Sequence, residues 1–215
     1  MKKCFYIILI SILFSQISLA KISEANLEKL AKHYSTSQVV TNDPWVLYNL
    51  AMTYAYTGYV EEGFSALTKI HKLDKGFKQK VLKRYKRKTN RYPNNWENQF
   101  YYAFALYFNE NKTDSVETFK KVTDLTDDLS VQGWSYGYIA YIMGERQDWD
   151  QALHYVNKAI KKEPEGAALY FAKSIALKET GDRLGATAAL LKAGVLQAKQ
   201  IMLKKRLQLK HEESS

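Results

Sequence analysis

The chain has 215 residues, 46% hydrophobic and 25% charged, a mixture that excludes global disorder and low complexity. A single cysteine, Cys4, excludes an intramolecular disulfide, a CxxC redox pair and a cysteine-type zinc site, while three prolines and ten glycines argue against a many-turned all-β fold. The formal charge of +10 is not spread evenly and belongs to one segment.

Lys2 and Lys3 precede an apolar stretch from Phe5 to Leu19, and Ser18-Leu19-Ala20 offers small residues two positions apart. Residues 1–20 therefore read as a signal peptide cleaved after Ala20. The stretch is about 15 residues long, short of the ~20 that a spanning helix needs, and a retained N-terminal anchor is the alternative. Export to the periplasm or the outside is the expected destination, with membrane anchoring if the signal stays. Cleavage would remove Cys4 and leave a net charge of +8.

Residues 21–43 come next as an N-terminal helix and linker. Leu27, Leu30, Ala31 and Tyr34 make one apolar stripe, which predicts a short helix over 23–34. Asp43-Pro44 reads as a helix start, an N-cap side chain followed by proline in the first turn. Residues 75–91 then hold Lys75, Lys78, Lys80, Lys83, Arg84, Lys86, Arg87, Lys88 and Arg91, with no acid among them. Phe77, Val81, Leu82 and Tyr85 lie at helical spacing inside that run, so 76–89 is expected to be an amphipathic helix.

From Asp148 to Pro164 the chain reads DWDQALHYVNKAIKKEP. An aromatic, a small alanine, an apolar residue four positions on, a second alanine three further and a closing proline follow in order. Ala152 and Ala159 would let two helices approach, and Val156 would fill the groove between them. Steps of 34 residues place further copies in the same frame. The small site of each first helix is Ala51, Ala103, Ala140 and Ser174, and that of each second helix is Gly63, Ser115, Ala152 and Ala186. The apolar site after it is Leu67, Phe119, Val156 and Leu190, and the last tight site is Ile70, Val122, Ala159 and Ala193. Gly58 and Gly181 supply turn glycines, which Glu110 and Gln147 replace in the middle copies. This pattern resembles the tetratricopeptide (TPR) repeat family.

The resemblance implies an all-α chain: an α-solenoid of about four helix-turn-helix repeats with an extra basic helix and a C-terminal capping helix. The expected boundaries are 44–77 for repeat 1, 78–95 for the basic helical insertion, 96–129 for a degenerate repeat 2, 133–166 for repeat 3, 167–200 for repeat 4, and 201–215 for the capping helix and tail. The segment after Gly194 is expected to cap the array with a solvated outer face.

By the same resemblance, first helices line a concave side on which a protein or peptide partner lies. The inward sites would be Trp45, Tyr48, Met52 and Tyr56, then Phe100, Phe104, Tyr107 and Phe108, then Trp134, Tyr138 and Tyr141, and finally Phe171 and Ile175. Aromatics at helical spacing serve packing as readily as binding, and both readings stay open. Asn49 is present, but the lysines and arginines of the family's carboxylate clamp are not. The alternative function is a peripheral membrane- or polyanion-binding protein acting through the 75–91 helix, meeting an anionic membrane surface or glycan. Nucleic acid is disfavoured, because no nucleic-acid motif accompanies the charge.

Catalytic readings find no support. His33, His71, His154 and His211 stand far apart, without a metal-ligand neighbour at helical spacing. There is no GxSxG, no phosphate-cradling glycine loop and no usable cysteine nucleophile. The sequence therefore predicts a non-enzymatic scaffold with no cofactor and no metal.

Overall fold

The computed structural model describes residues 42–58 and 60–212. The expected signal peptide, Cys4, the 23–34 helix and the last three residues lie outside the described residues. Nine α-helices and no strand occur among the described residues: α1 (Pro44–Thr57), α2 (Val60–Leu73), α3 (Phe77–Arg91), α4 (Trp96–Phe108), α5 (Lys112–Leu125), α6 (Leu129–Glu145), α7 (Trp149–Lys162), α8 (Ala167–Glu179) and α9 (Arg183–Glu212). The chain is an all-α solenoid.

Helix starts follow from local side-chain chemistry. The Asp43 carboxylate accepts from Trp45 N at 2.8 Å, and Pro44 opens α1 where its missing N–H costs nothing. Asn95 accepts from Asn98 N at 2.7 Å ahead of α4. Asp128 accepts from Ser130 N at 3.0 Å and Val131 N at 3.2 Å ahead of α6.

The turns inside the helix pairs share one backbone conformation. Gly58 and Gly181 have φ of 85° and 94°, and Glu110 and Gln147 both have φ of 63°. The two positions that lack glycine thus take the same left-handed geometry, against the steric preference of an L-residue. Gln147→Gly should raise the free energy of unfolding by about 0.5–1 kcal/mol, because relief of the strain outweighs the added freedom of the unfolded chain. Urea denaturation followed by circular dichroism checks this, and a destabilised variant would show that the turn is not strained.

The small sites explain how closely the helices pack. Ala51, Ala103, Ala140 and Ser174 are all buried, as are Gly63, Ser115 and Ala152. Phe119, Val156, Ile70, Val122, Ala159 and Ala193 are buried too. Departures come at the end of the array. Leu190, expected to fill an apolar groove, is exposed, and Ala186 is only half-buried, because no later helix packs over α9.

From α3 onward each helix packs on the next: α3 on α4, α4 on α5, and so on to α8 on α9. The first hairpin breaks this order. α1 packs on α2 and then on α6, far along the chain. The basic helix α3 packs on α4, and α2 does not pack closely on it. The α1–α2 hairpin therefore lies over the face made by α4 and α6, while Trp45 and Tyr48 of α1 also meet Phe77 and Tyr85 of α3, at 4.7 Å and 5.8 Å. Tyr56 meets Trp96 and Phe100 edge-on at 5.6 Å each, and the Tyr138 hydroxyl donates to the Ala55 carbonyl at 2.9 Å.

α9 runs as one helix of 30 residues, without the break near residue 200 that separate repeat and cap segments would give. It closes the array on α8. Leu184, Leu191, Val195 and Met202 all point to solvent.

Candidate functional site

The aromatics of the first helices converge on the inner face of the array, where most of them are interior. Tyr48, Met52, Tyr56, Phe100, Phe104, Trp134 and Phe171 are buried. Trp45, Tyr107, Phe108, Tyr138, Tyr141 and Ile175 are half-buried. Phe104 and Tyr138 stand 4.6 Å apart, Phe104 and Phe119 5.2 Å, and Phe100 and Phe104 5.3 Å, mostly edge to face. The physical reason is the first hairpin. α1 and α2 cover much of the surface that the repeat pattern assigns to a ligand.

Tyrosine hydroxyls hold the hairpin down. Tyr48 Oη donates to the Tyr101 carbonyl at 2.8 Å, in addition to the Tyr138 contact with Ala55. Burial pushes Tyr48, Tyr101, Tyr107 and Tyr138 well above the ordinary tyrosine range, and Tyr141 is pushed up to about 12. All of them keep their protons near neutrality and act as donors, not as bases or nucleophiles. Tyr107 Oη donates to Glu145 Oε1 at 3.1 Å, and Lys112 meets the other carboxylate oxygen at 3.1 Å.

An apolar cleft stays open between α1 and α2 on one side and α4, α6 and α8 on the other. Its free volume is about 90 Å³, and Phe64, Leu67, Phe108, Tyr141, Leu169 and Ala172 are among its walls. That is room for one aliphatic side chain, not for a cofactor or a bulky substrate. Phe64 stands at its edge, 52% exposed. The repeat pattern does not point to Phe64, because it assigns the ligand contacts to first helices. The face made by Val60, Gly63, Phe64 and Leu67 was the signal that could have found it.

The basic segment forms a separate region on α3. Phe77, Val81, Tyr85 and Thr89 are buried along one side. Lys75, Lys78, Lys80, Lys83, Arg84, Lys86, Arg87 and Arg91 are exposed, and Lys88 is half-buried with its ammonium 5.0 Å from the Tyr85 ring. Lys80, Lys83, Arg84, Arg87 and Arg91 fall three, four, seven and eleven residues along from the first, so they form one stripe. Lys80 is paired with Asp74 at 2.7 Å, and the Arg84 guanidinium sits 4.2 Å from the Trp45 ring. Trp45 with Lys80, Lys83, Arg84 and Arg87 lines a shallow recess beside the start of α1.

His71 and His154 are exposed on different helices. Among the described residues no three His, Cys, Asp or Glu side chains gather as metal ligands would, and no helix is long and apolar enough to cross a membrane.

No protein-family model matches the sequence, and no curated protein matches it. Among solved structures the chain is similar to MamA at 16% identity, over 79% of this chain and 87% of that one, with a TM-score of 0.48. MamA from Desulfovibrio magneticus RS-1, spanning residue 41 to its end, is 15% identical over 81% of this chain and 87% of that one, with a TM-score of 0.45. A double mutant of the RS-1 protein is 15% identical over 82% and 88%, again at 0.45.

Proposed function

We propose that this protein is an exported, non-enzymatic scaffold of the TPR-like kind that binds a protein or peptide partner on its inner side. The observation that carries this reading is the α2-lined cleft. Its walls are almost wholly apolar, it takes one side chain, and an exposed phenylalanine stands at its edge. A partner segment with a protruding leucine, isoleucine or methionine fits this shape, with the surrounding ring faces as contact area. Export rests on the sequence of residues 1–20.

A second reading is supported by the α3 stripe. Its five aligned cations, with Trp45 at their flank, suit an anionic surface, since aromatic rings and basic side chains together favour the headgroup layer of a membrane.

One experiment separates the two. Phe104 is buried, so truncating it would loosen the fold before it reported on binding. Phe64 is exposed and can be changed without that cost. Phe64→Glu should reduce capture of a partner from envelope extract at least tenfold, with the circular dichroism spectrum unchanged and the loss insensitive to salt. Changing Lys83, Arg84 and Arg87 to glutamine should leave that capture intact. If capture ignores Phe64→Glu but collapses with the three glutamines, and already fades as salt is raised, the basic stripe is the functional surface.

A further inference from the structure

α9 presents two unlike faces. Ala189, Ala193 and Leu196 are buried where the helix packs on α8. On the opposite side Leu184, Ala188, Leu191, Val195, Ala198 and Met202 follow one another at steps of four, three, four, three and four residues. That alternation keeps six side chains in one line, and it is the spacing by which one helix seats its side chains between those of another. The exposures are 86% for Leu184, 68% for Leu191, 64% for Val195 and 70% for Met202. A helix that merely closes a repeat array carries polar residues on its outer face. Scattered exposed leucines need no explanation, whereas an unbroken apolar line over five helical turns does.

We propose that this line is the seam of a homodimer, in which a second copy of the chain lays its own α9 alongside, parallel and in register. The seam is self-complementary, because a two-fold axis brings each apolar side chain to its equivalent on the other copy. The flanking residues favour this occupant over an unrelated helix. One flank carries Lys192 and Lys199, and the other carries Thr187 and Gly194. Parallel pairing sets the cationic flank of one copy against the neutral flank of the other, so no like charges meet. Antiparallel pairing would set Lys192 of one copy near Lys199 of the other. An acid-flanked helix from another protein would gain little, since Lys199 already pairs with Glu165 of its own chain at 3.1 Å.

The mass of the purified protein, measured by light scattering after gel filtration over a range of concentrations, tests the seam. The expected mass is twice that of one chain. Leu191→Glu combined with Val195→Glu should give the mass of one chain with unchanged helical content. Leu190→Glu is the control, because Leu190 is also exposed but lies a third of a turn off the line; this variant should stay dimeric. A wild-type protein with the mass of one chain, or equal dissociation by Leu190→Glu, overturns the proposal. Should the double variant fail to fold, Ala188→Cys in a Cys4→Ser background gives an independent readout. In parallel register the two introduced thiols face each other and should form a covalent dimer on oxidation. A dimer that does not cross-link at this position overturns the parallel register.

Discussion

Phe100→Ala should lower the free energy of unfolding by about 3–5 kcal/mol. Phe100 is fully buried on α4 and touches rings from four directions: Tyr56 at 5.6 Å, Phe104 at 5.3 Å, Phe119 at 5.6 Å and Tyr138 at 6.2 Å. These rings belong to α1, α4, α5 and α6, so the residue joins the first hairpin to the array behind it. Truncation leaves a ring-sized void that fixed helices cannot close, and edge-to-face contacts worth about 0.5–1.5 kcal/mol each disappear with it. A domain of this kind has a total stability of about 5–15 kcal/mol, so the loss is a large fraction of the whole. Chemical denaturation with circular dichroism measures it. A loss under about 1 kcal/mol would mean that the rings close over the void, and that the hairpin is not tied to the array through this residue.

Gly133→Leu should cost about 1–3 kcal/mol, by overpacking instead of by a void. Gly133 lies in α6 where α7 comes closest. A Cβ built there would sit 2.8 Å from the Glu163 Cβ and 3.3 Å from both the Ala159 carbonyl oxygen and the Glu163 nitrogen. Two of these three neighbours are backbone atoms and cannot swing aside. Because the first added carbon already collides, Gly133→Ala should lose a measurable part of the same stability. Gly194→Ala, where a Cβ meets nothing, is the control and should be neutral or slightly stabilising. Equal effects of Gly→Ala at the two positions would mean that the higher helix propensity of alanine, and not the α6–α7 approach, governs the outcome.

Parts of this structure could be read from one sequence because sterics leave few choices. Where two helices touch closely, the contact residue must be small, and Ala51, Ala103, Ala140 and Ala152 announce themselves for that reason. The turn positions were legible by spacing even where Glu110 and Gln147 hide the usual glycine. The basic stripe was legible because charge alternates with Phe77, Val81 and Tyr85 at helical intervals. The covering of the inner face was not legible. It depends on contacts such as Tyr138 with Ala55, 83 residues apart, and no local pattern encodes them. An aromatic that faces a groove and one that faces a covering helix have the same spacing, so Tyr48 and Phe100 could not be told from Tyr141. The line on α9 lies in the sequence, but in a frame of 34 residues the apolar site falls on Leu190, one position from Leu191.

The place of the first hairpin also sets an order of events for the growing chain. Helices α3 to α9 rest on their neighbours in sequence, so their contacts close short loops and form fast. The hairpin leaves the ribosome first, yet the surfaces that receive it, Trp96 to Tyr138, are made later. Until then the face of α1 that carries Tyr56 has only α2 and α3 beside it and lacks the rings of α4 that close over it. In refolding experiments, burial of Trp96, which Tyr56 of the hairpin meets edge-on at 5.6 Å, should trail the gain of helical signal. A holding factor that recognises exposed aromatic side chains would act on this protein in that interval.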